Sequence, residues 1–540
     1  MAYSLLWLLY LITSCGIAVG GAALKSSTAV ACSAIPAPVV LGAKIISITT
    51  AERYNISLTN ARTGFATPAG LEEVTSVEGI SVCDVNVSLT HPGDDDTVNI
   101  NVWLPLEGWN GRFQGVGGGG WLAGYPGGRA LAYAVSQGWA AATTDGGNIS
   151  ASGGVLNPDA LTSSGDVNWG LLVDFSSRAL HETAVVGKAV AQSFYGKAPR
   201  AYFNGCSTGG RQGYMLAQKY PLDYDGILAN GPALYWPTFT LTMNWAHFLM
   251  NSLKTYPSPC EYSAFQNASI AACDALDGVS DGIISDVAAC NFDPHSLVGT
   301  TAKCGEEEYT ITSAAATVVA KIREGPKTPW GTQLWDGMDW GMMYSSMAPT
   351  KFVNGTWVNQ PDAILDSWVQ YFILQDPSFD FETTTLEQLT DFYALAPALY
   401  DGVIGTSNSD LSQFRDAGRK LLSWHGMNDE RIMINNTIKY RLQVEGAMGG
   451  NERVNDFYRL FFPPGVGHCG GGRGPVPRGG LDALVAWVEE GTAPDVLFGE
   501  APSPLTGANM TRNVCLWPKV ARYNGGDPLL ASSFSCADSF

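Results

Sequence analysis

The chain of 540 residues predicts an α/β fold, and three stretches carry that prediction. In the first, a short apolar strand (Ala201-Tyr202-Phe203) meets the run Asn204-Gly205-Cys206-Ser207-Thr208-Gly209-Gly210. A helical pattern then runs over Gly210–Tyr220 and is ended by Pro221. In the second, the strand-like Lys420-Leu421-Leu422 leads into Ser423-Trp424-His425-Gly426-Met427-Asn428-Asp429. In the third, the strand-like Tyr458-Arg459-Leu460-Phe461-Phe462 leads into Gly465-Val466-Gly467-His468-Cys469. Short apolar strands that alternate with helical patterns and end in polar loops are the layout of an α/β sheet.

In chain order, Ser4 to Val19 is apolar but short for a spanning helix, and small residues (Gly20-Gly21-Ala22-Ala23) follow it. Residues 1–23 therefore read as a signal peptide, although no Lys or Arg precedes the apolar run. No later stretch is apolar for as long as a membrane span requires, so the mature chain is expected to be soluble, extracellular and without a membrane partner. Of 11 cysteines, Cys15 lies in the removed segment, and the even remainder is compatible with five disulfides in an oxidising compartment. Asn55, Asn86, Asn148, Asn267, Asn354, Asn435 and Asn509 head Asn-x-Ser/Thr sequons and are candidate glycosylation sites. The net charge of −19 argues against nucleic acid or an anionic membrane as partner, because both demand basic surface. A homodimer is admitted but not required.

The strand Arg112-Phe113-Gln114 is followed by Gly115-Val116-Gly117-Gly118-Gly119-Gly120-Trp121. Backbone N–H groups converge on a developing negative charge only where side chains do not crowd them. Gly119 or Gly120, with the amide of Thr208, is the expected oxyanion hole; a flexible loop is the alternative. The run Gly205-x-Ser207-x-Gly209 fits a nucleophile elbow, the sharp strand-to-helix turn of α/β-hydrolases. With 62 glycines in the chain the pattern alone is weak, about half a match by chance, and the strand–turn–helix setting gives it weight against a solvated turn. In that fold the nucleophile comes first, then the acid, then the base. Among the 6 histidines this order leaves His425 and His468. His468 is the expected base, Asp429 the acid, and His425 a packing or orienting residue. If Cys206 and Cys469 pair, one disulfide sets nucleophile and base side by side, because a disulfide holds its Cα atoms within about 4.4–6.8 Å.

From Trp236 to about Leu395 the composition shifts to tryptophan, tyrosine, cysteine and irregular loops, and the sheet pattern resumes at Asp410. The reading is one α/β catalytic domain, 24–235 and 395–540, interrupted by an insertion, 236–394. Trp236, Trp330, Trp335, Trp340 and Tyr344 can stack on an aromatic group; core packing is the commoner role for each. Within the insertion, Cys273 to Asp286 concentrates carboxylates with turn glycines. Asp274, Asp277 and Asp281 supply charge, and the carbonyls of Val279 and Ile283 can point inward. That oxygen set suits calcium, although the spacing is not an EF-hand; an acidic solvated turn is the alternative. Its distance in sequence from Ser207 and His468 points to a structural role.

Gly-Cys-Ser-x-Gly-Gly at 205–210, His-Gly-x-x-Asp at 425–429 and Pro-Gly-x-Gly-His-Cys-Gly-Gly-Gly at 464–472 together resemble the tannase and feruloyl esterase family of secreted serine esterases. The resemblance extends from Asn110-Gly111-Arg112-Phe113 to about Leu497. It implies an α/β-hydrolase fold with a lid domain over 236–394, and Ser207, Asp429 and His468 as a triad. It also implies a Cys206–Cys469 disulfide and a structural Ca2+ on Asp274, Asp277, Val279, Asp281 and Ile283. The family's further pairings are Cys32–Cys83, Cys273–Cys290 and Cys515–Cys536, which leave Cys260–Cys304. Met427, Asn428 and Glu430 depart from the commoner His-Gly-Trp-Ala-Asp-Pro form. The implied substrate is an aromatic ester, hydroxycinnamoyl (feruloyl-type) first and galloyl second. An inactive binding protein would be signalled by loss of a triad member, and all three are present.

Overall fold

The computed structural model of the chain describes residues 29–59, 76–125, 127–150 and 155–539; the expected signal segment lies outside them. Nine strands form one sheet: β1 (Lys44–Thr59), β2 (Ser76–Thr90), β3 (Val98–Pro105), β4 (Arg112–Val116), β5 (Ala140–Thr144), β6 (Arg200–Cys206), β7 (Gly226–Asn230), β8 (Lys420–Trp424) and β9 (Tyr458–Phe461). Their spatial order is β1-β2-β3-β5-β4-β6-β7-β8-β9. Pairing is antiparallel from β1 to β5 and parallel from β5 to β9.

The parallel half explains its own sequence. Strands β5, β6 and β7 are buried almost without interruption, because helices cover both faces, so they read as continuous small or apolar runs rather than alternations. Helices α1 (Arg129–Ser136) and α6 (Gly480–Glu490) pack on one face. Helices α2 (Ala179–Tyr195), α3 (Thr208–Lys219) and α5 (Ile434–Met448) pack on the other. The carboxyl ends of β4, β6, β8 and β9 carry the glycine loop, the serine turn, the Asp429 loop and the His468 loop. In an open α/β sheet that edge is where ligands bind.

Between β7 and β8 no strand joins this sheet. The segment instead forms helices, among them α4 (Pro259–Cys273), and two small hairpins, Thr301–Cys304 with Glu307–Thr310 and Thr350–Val353 with Thr356–Asn359. A helix over Leu386–Tyr400 runs through the expected boundary at 394. It is nucleated by the capping box of Thr385 and Gln388 and tolerates Pro397 inside it, so the return to the sheet begins only after it. Five disulfides are present: Cys32–Cys83, Cys206–Cys469, Cys260–Cys304, Cys273–Cys290 and Cys515–Cys536. No described helix is long and apolar enough to cross a membrane. The sequon asparagines are exposed except for Asn435, which is half-buried.

Candidate active site

Ser207 sits between β6 and α3 at φ 64° and ψ −123°, a left-handed value that side chains rarely adopt. The turn must be this tight because β6 feeds straight into the helix. A Cβ on Gly205 would lie 2.6 Å from the Gly209 carbonyl, so only glycine fits there. Main-chain bonds hold the strain in place: Ser207 N donates to the Asn230 carbonyl at 3.1 Å, and Arg211 N to the Ser207 carbonyl at 3.0 Å.

The acid and the base come together from β8 and β9. His468 Nδ1 lies 2.8 Å from Asp429 Oδ2. The other carboxylate oxygen of Asp429 accepts the N–H groups of Arg431 and Ile432, both at 2.8 Å. Burial opposes ionisation of Asp429, but the charge of His468 and the hydrogen bonds from His425 and His468 hold its carboxyl well below the usual 3.8. Burial likewise disfavours the imidazolium of His468, yet Asp429 and Glu430 win and its pKa rises above 6.5. The Cys206–Cys469 disulfide, with Cα atoms 5.9 Å apart, ties the residue before Ser207 to the residue after His468. Convergence is visible at Gly231, where a Cβ would lie 3.4 Å from Cys206 Sγ, 3.5 Å from Asp429 Oδ2 and 4.0 Å from His468 Nδ1.

His425 is fully buried and orients the acid. Its Nε2 donates between Asp429 Oδ2 (3.1 Å) and the Ile432 carbonyl (3.0 Å), while Nδ1 accepts from the Thr437 hydroxyl at 2.8 Å. The remaining histidines are engaged elsewhere: His91 with Asp96 and Glu182, His181 with Asp223, His247 with Asn359, and His295 with Asp293 and Thr317.

The glycine loop follows β4 and is bound along its length by α3. Gly209 N donates to the Gly118 carbonyl at 3.1 Å, and the Thr208 hydroxyl to the Gly120 carbonyl at 2.7 Å. One helical turn on, Gln212 accepts from Gly118 N at 3.0 Å and donates to the Ala123 carbonyl at 2.9 Å. Gly119 does not fit the oxyanion role expected of it: its N–H is already donated to the Leu122 carbonyl at 3.1 Å, closing a tight turn. The N–H groups of Gly120 and of Thr208, the first residue of α3, donate to no acceptor among the described residues. Trp121, fully buried, anchors the loop to the insertion through Nε1 on the Ile364 carbonyl (3.0 Å) and ring contacts with Trp236, Trp368 and Phe372.

Of the insertion aromatics expected to meet a ligand, Trp236, Trp340 and Tyr344 are core residues, Trp335 is half-buried against Lys439, and Trp330 is exposed. A cleft of about 220 Å³ lies between the insertion and the catalytic loops, lined by Gln266, Ile283, Ile284, Asn428, Glu430 and Arg473 among others. Pattern reading missed Gln212, Asn230, Thr437 and Glu430. Each acts on main-chain or side-chain groups distant in sequence, which leaves no local signal.

The carboxylate loop is next to the catalytic loops in space, although remote in sequence. Ile283 Cγ2 lies 2.9 Å from where a Cβ on Gly465 would be. Asp274 accepts from the amides of Asp281 and Gly282 at 3.0 and 3.1 Å, and Asp277 from Val279 N at 3.1 Å. Asp281 meets Arg512 Nη2 at 2.5 Å. Val279 and Ile283 are buried, and neither carbonyl accepts a hydrogen bond from a described residue.

A family model described as tannase and feruloyl esterase matches residues 83–537. A probable feruloyl esterase of Arthroderma benhamiae is 43% identical over 518 residues, covering 94% of each chain. Among solved structures, tannin acyl hydrolase from Aspergillus niger matches with a TM-score of 0.82 at 25% identity, over 94% of each chain. Feruloyl esterase B from Aspergillus oryzae matches at 0.73 and 28% identity, over 92% of this chain and 97% of the other.

Proposed function

Since the chain belongs to the tannase and feruloyl esterase family of carboxylic ester hydrolases, we propose that it is a secreted serine esterase cleaving aromatic esters, hydroxycinnamoyl esters of plant cell-wall polysaccharide first. The observation that carries this reading is the hydrogen-bonded Asp429–His468 pair held beside the strained Ser207 turn by a disulfide. Ser207 Oγ attacks the ester carbonyl while His468 takes its proton; Asp429 holds the ring in the correct tautomer and stabilises the imidazolium. The free amides of Gly120 and Thr208 stabilise the oxyanion at the positive end of α3. His468 then protonates the leaving alcohol, an acyl group stays on Ser207, and water repeats the sequence to release the acid.

The fold that fits is an α/β-hydrolase with residues 236–394 as a lid, its first helices packed through Trp236 on the glycine loop. Sequence likeness favours feruloyl esters and structural likeness galloyl esters. Turnover of methyl ferulate, methyl gallate and a short p-nitrophenyl ester by the purified protein separates the readings, and a serine-directed phosphonate should label Ser207. Turnover of none, with no label on Ser207, would leave the inactive binding protein.

Calcium in the carboxylate loop belongs to the same proposal. Three carboxylates against one arginine leave a charge that a divalent cation would balance, and two buried carbonyls lack donors. Asp274, Asp277, Asp281 and the carbonyls of Val279 and Ile283 would hold it as a hard-oxygen set whose role is to rigidify the loop. The five disulfides support an oxidising, extracellular destination, where the exposed sequons would be glycosylated.

A further inference from the structure

Glu430 departs from the commoner family motif directly after the acid, and the esterase mechanism above gives it no role. Its position is specific. Main-chain bonds join the two catalytic loops from Met427 N to the Pro463 carbonyl (3.0 Å) and from Asn428 N to the Val466 carbonyl (2.9 Å), and then stop. Beyond Val466 the ring of His468 is held by Asp429, and its main-chain N–H donates to Glu430 Oε2 at 3.1 Å. The carboxylate also presses on the residue before: a Cβ on Gly467 would lie 2.8 Å from Oε2. Glycine at 467 and glutamate at 430 therefore form one fitted contact.

We propose that Glu430 is a second positioning carboxylate of the acid–base pair, holding the main chain of His468 while Asp429 holds its ring, and adding a negative charge beside the imidazole. The proposal rests on the esterase reading for its kinetic consequence, not for its geometry.

Among the described residues, the charges that act most on His468 are few. Asp429 and Glu430 both favour the imidazolium and Arg431 opposes it. Arg431 is itself paired with Asp362 of the insertion at 2.8 Å. Arg473, on the histidine's own loop, donates to Asn267 Oδ1 of α4 at 2.7 Å. The serine turn brings Cys206, Ser207 and Thr208, and Gly231 follows β7; with Cys206 in a disulfide, none of these carries a charge. A loop histidine released by about 1 Å loses orientation toward the nucleophile, and misplacement of that size costs up to about a hundredfold in rate.

Two variants separate charge from tether. Glu430→Gln keeps an acceptor for the His468 N–H and removes the charge; Glu430→Ala removes both. The pH profile of kcat/KM is measured with active sites counted by phosphonate titration of Ser207, so misfolded protein does not enter the rate. The His468 imidazole is followed separately by NMR on histidine-labelled protein, its resonance assigned by its loss in His468→Gln. Expected results are a downward move of the acid limb and of the NMR midpoint in both variants, and a loss in plateau kcat of about tenfold or more in Glu430→Ala, larger than in Glu430→Gln and larger than any change in KM. Unmoved midpoints in both variants, or wild-type kcat per titrated site in Glu430→Ala, would overturn the proposal. Should the wild type turn over no ester while the midpoints still move, the reaction assignment fails and the role of Glu430 stands.

Discussion

Ser207 occupies a backbone conformation that main-chain bonds on both sides already hold, so its hydroxyl is dispensable to the fold. Ser207→Ala should lower kcat by about 10⁴ or more and leave the melting curve in place. A variant keeping a tenth of wild-type kcat would remove Ser207 from the nucleophile role. His468 sets the pH response. Its raised pKa means that the neutral base is lost as pH falls through a value above 6.5, so the acid limb of kcat/KM should lie above the ordinary histidine range. Stability runs the other way at His468. The contribution of protonated His468 is fully present below 6.5 and lost as pH rises through its folded value, whereas that of Asp429 is present above 3.8 and lost as pH falls through its depressed value. At this scale the sequence was legible where chemistry demands adjacent residues: the serine, its glycines, its cysteine. It was silent on Gln212 and Thr437 and marked Glu430 only as a departure from the family motif, because each of these contacts joins residues apart in sequence and leaves no local pattern.

Helix α3 does more than follow the nucleophile. Thr208, Gly209 and Gln212 on its first turns bind Gly120, Gly118 and Ala123, so the glycine loop is tied to the helix. Gln212→Leu, similar in volume but without donor or acceptor, should reduce kcat about tenfold and cost about 1–3 kcal/mol of stability through unsatisfied main-chain groups. Stopped-assay kinetics with chemical denaturation checks both; an unchanged kcat would free the loop from the helix. The double change Cys206→Ala with Cys469→Ala leaves no lone thiol. It should depress kcat strongly even in protein that remains folded by circular dichroism, because the Ser207 and His468 loops then lose their covalent link. Wild-type kcat in that variant would deny the disulfide any part in catalysis. The strands that position these loops were readable as short apolar runs, with β6 extending past Ala201–Phe203 to Cys206 and α3 beginning at Thr208 rather than Gly210. The helix starts early because the turn is completed by a single strained residue, which propensity does not reveal. The antiparallel strands β1 and β2 were not singled out at all: β1 is interrupted by register shifts, and β2 is buried in a mixed pattern.

Over the whole molecule, the composition shift after β7 sets the start expected for the insertion, and the helix over Leu386–Tyr400 spans the end expected for it at 394. The carboxylate loop was legible as an oxygen-rich turn; its contact with Gly465 was not, since nothing in sequence joins 283 to 465. That contact changes the expected effect of chelation. Calcium removal should lower the melting temperature, with ligand binding worth about 2.7 kcal/mol at a hundredfold excess over Kd. Because Ile283 abuts the histidine loop, some loss of kcat should accompany it at temperatures near the new transition. An unchanged melting temperature together with no calcium by elemental analysis would exclude the metal.

The bond between Cys206 and Cys469 also orders events in time. Cys206, which precedes the nucleophile, is translated 263 residues before Cys469, which follows its base, and at about 5–20 residues per second that gap lasts about 13–50 s. Throughout it a ribosome-bound chain holds Ser207 without His468. The arrangement that the disulfide ties together can therefore be completed only after residue 469 of the 540 has been made.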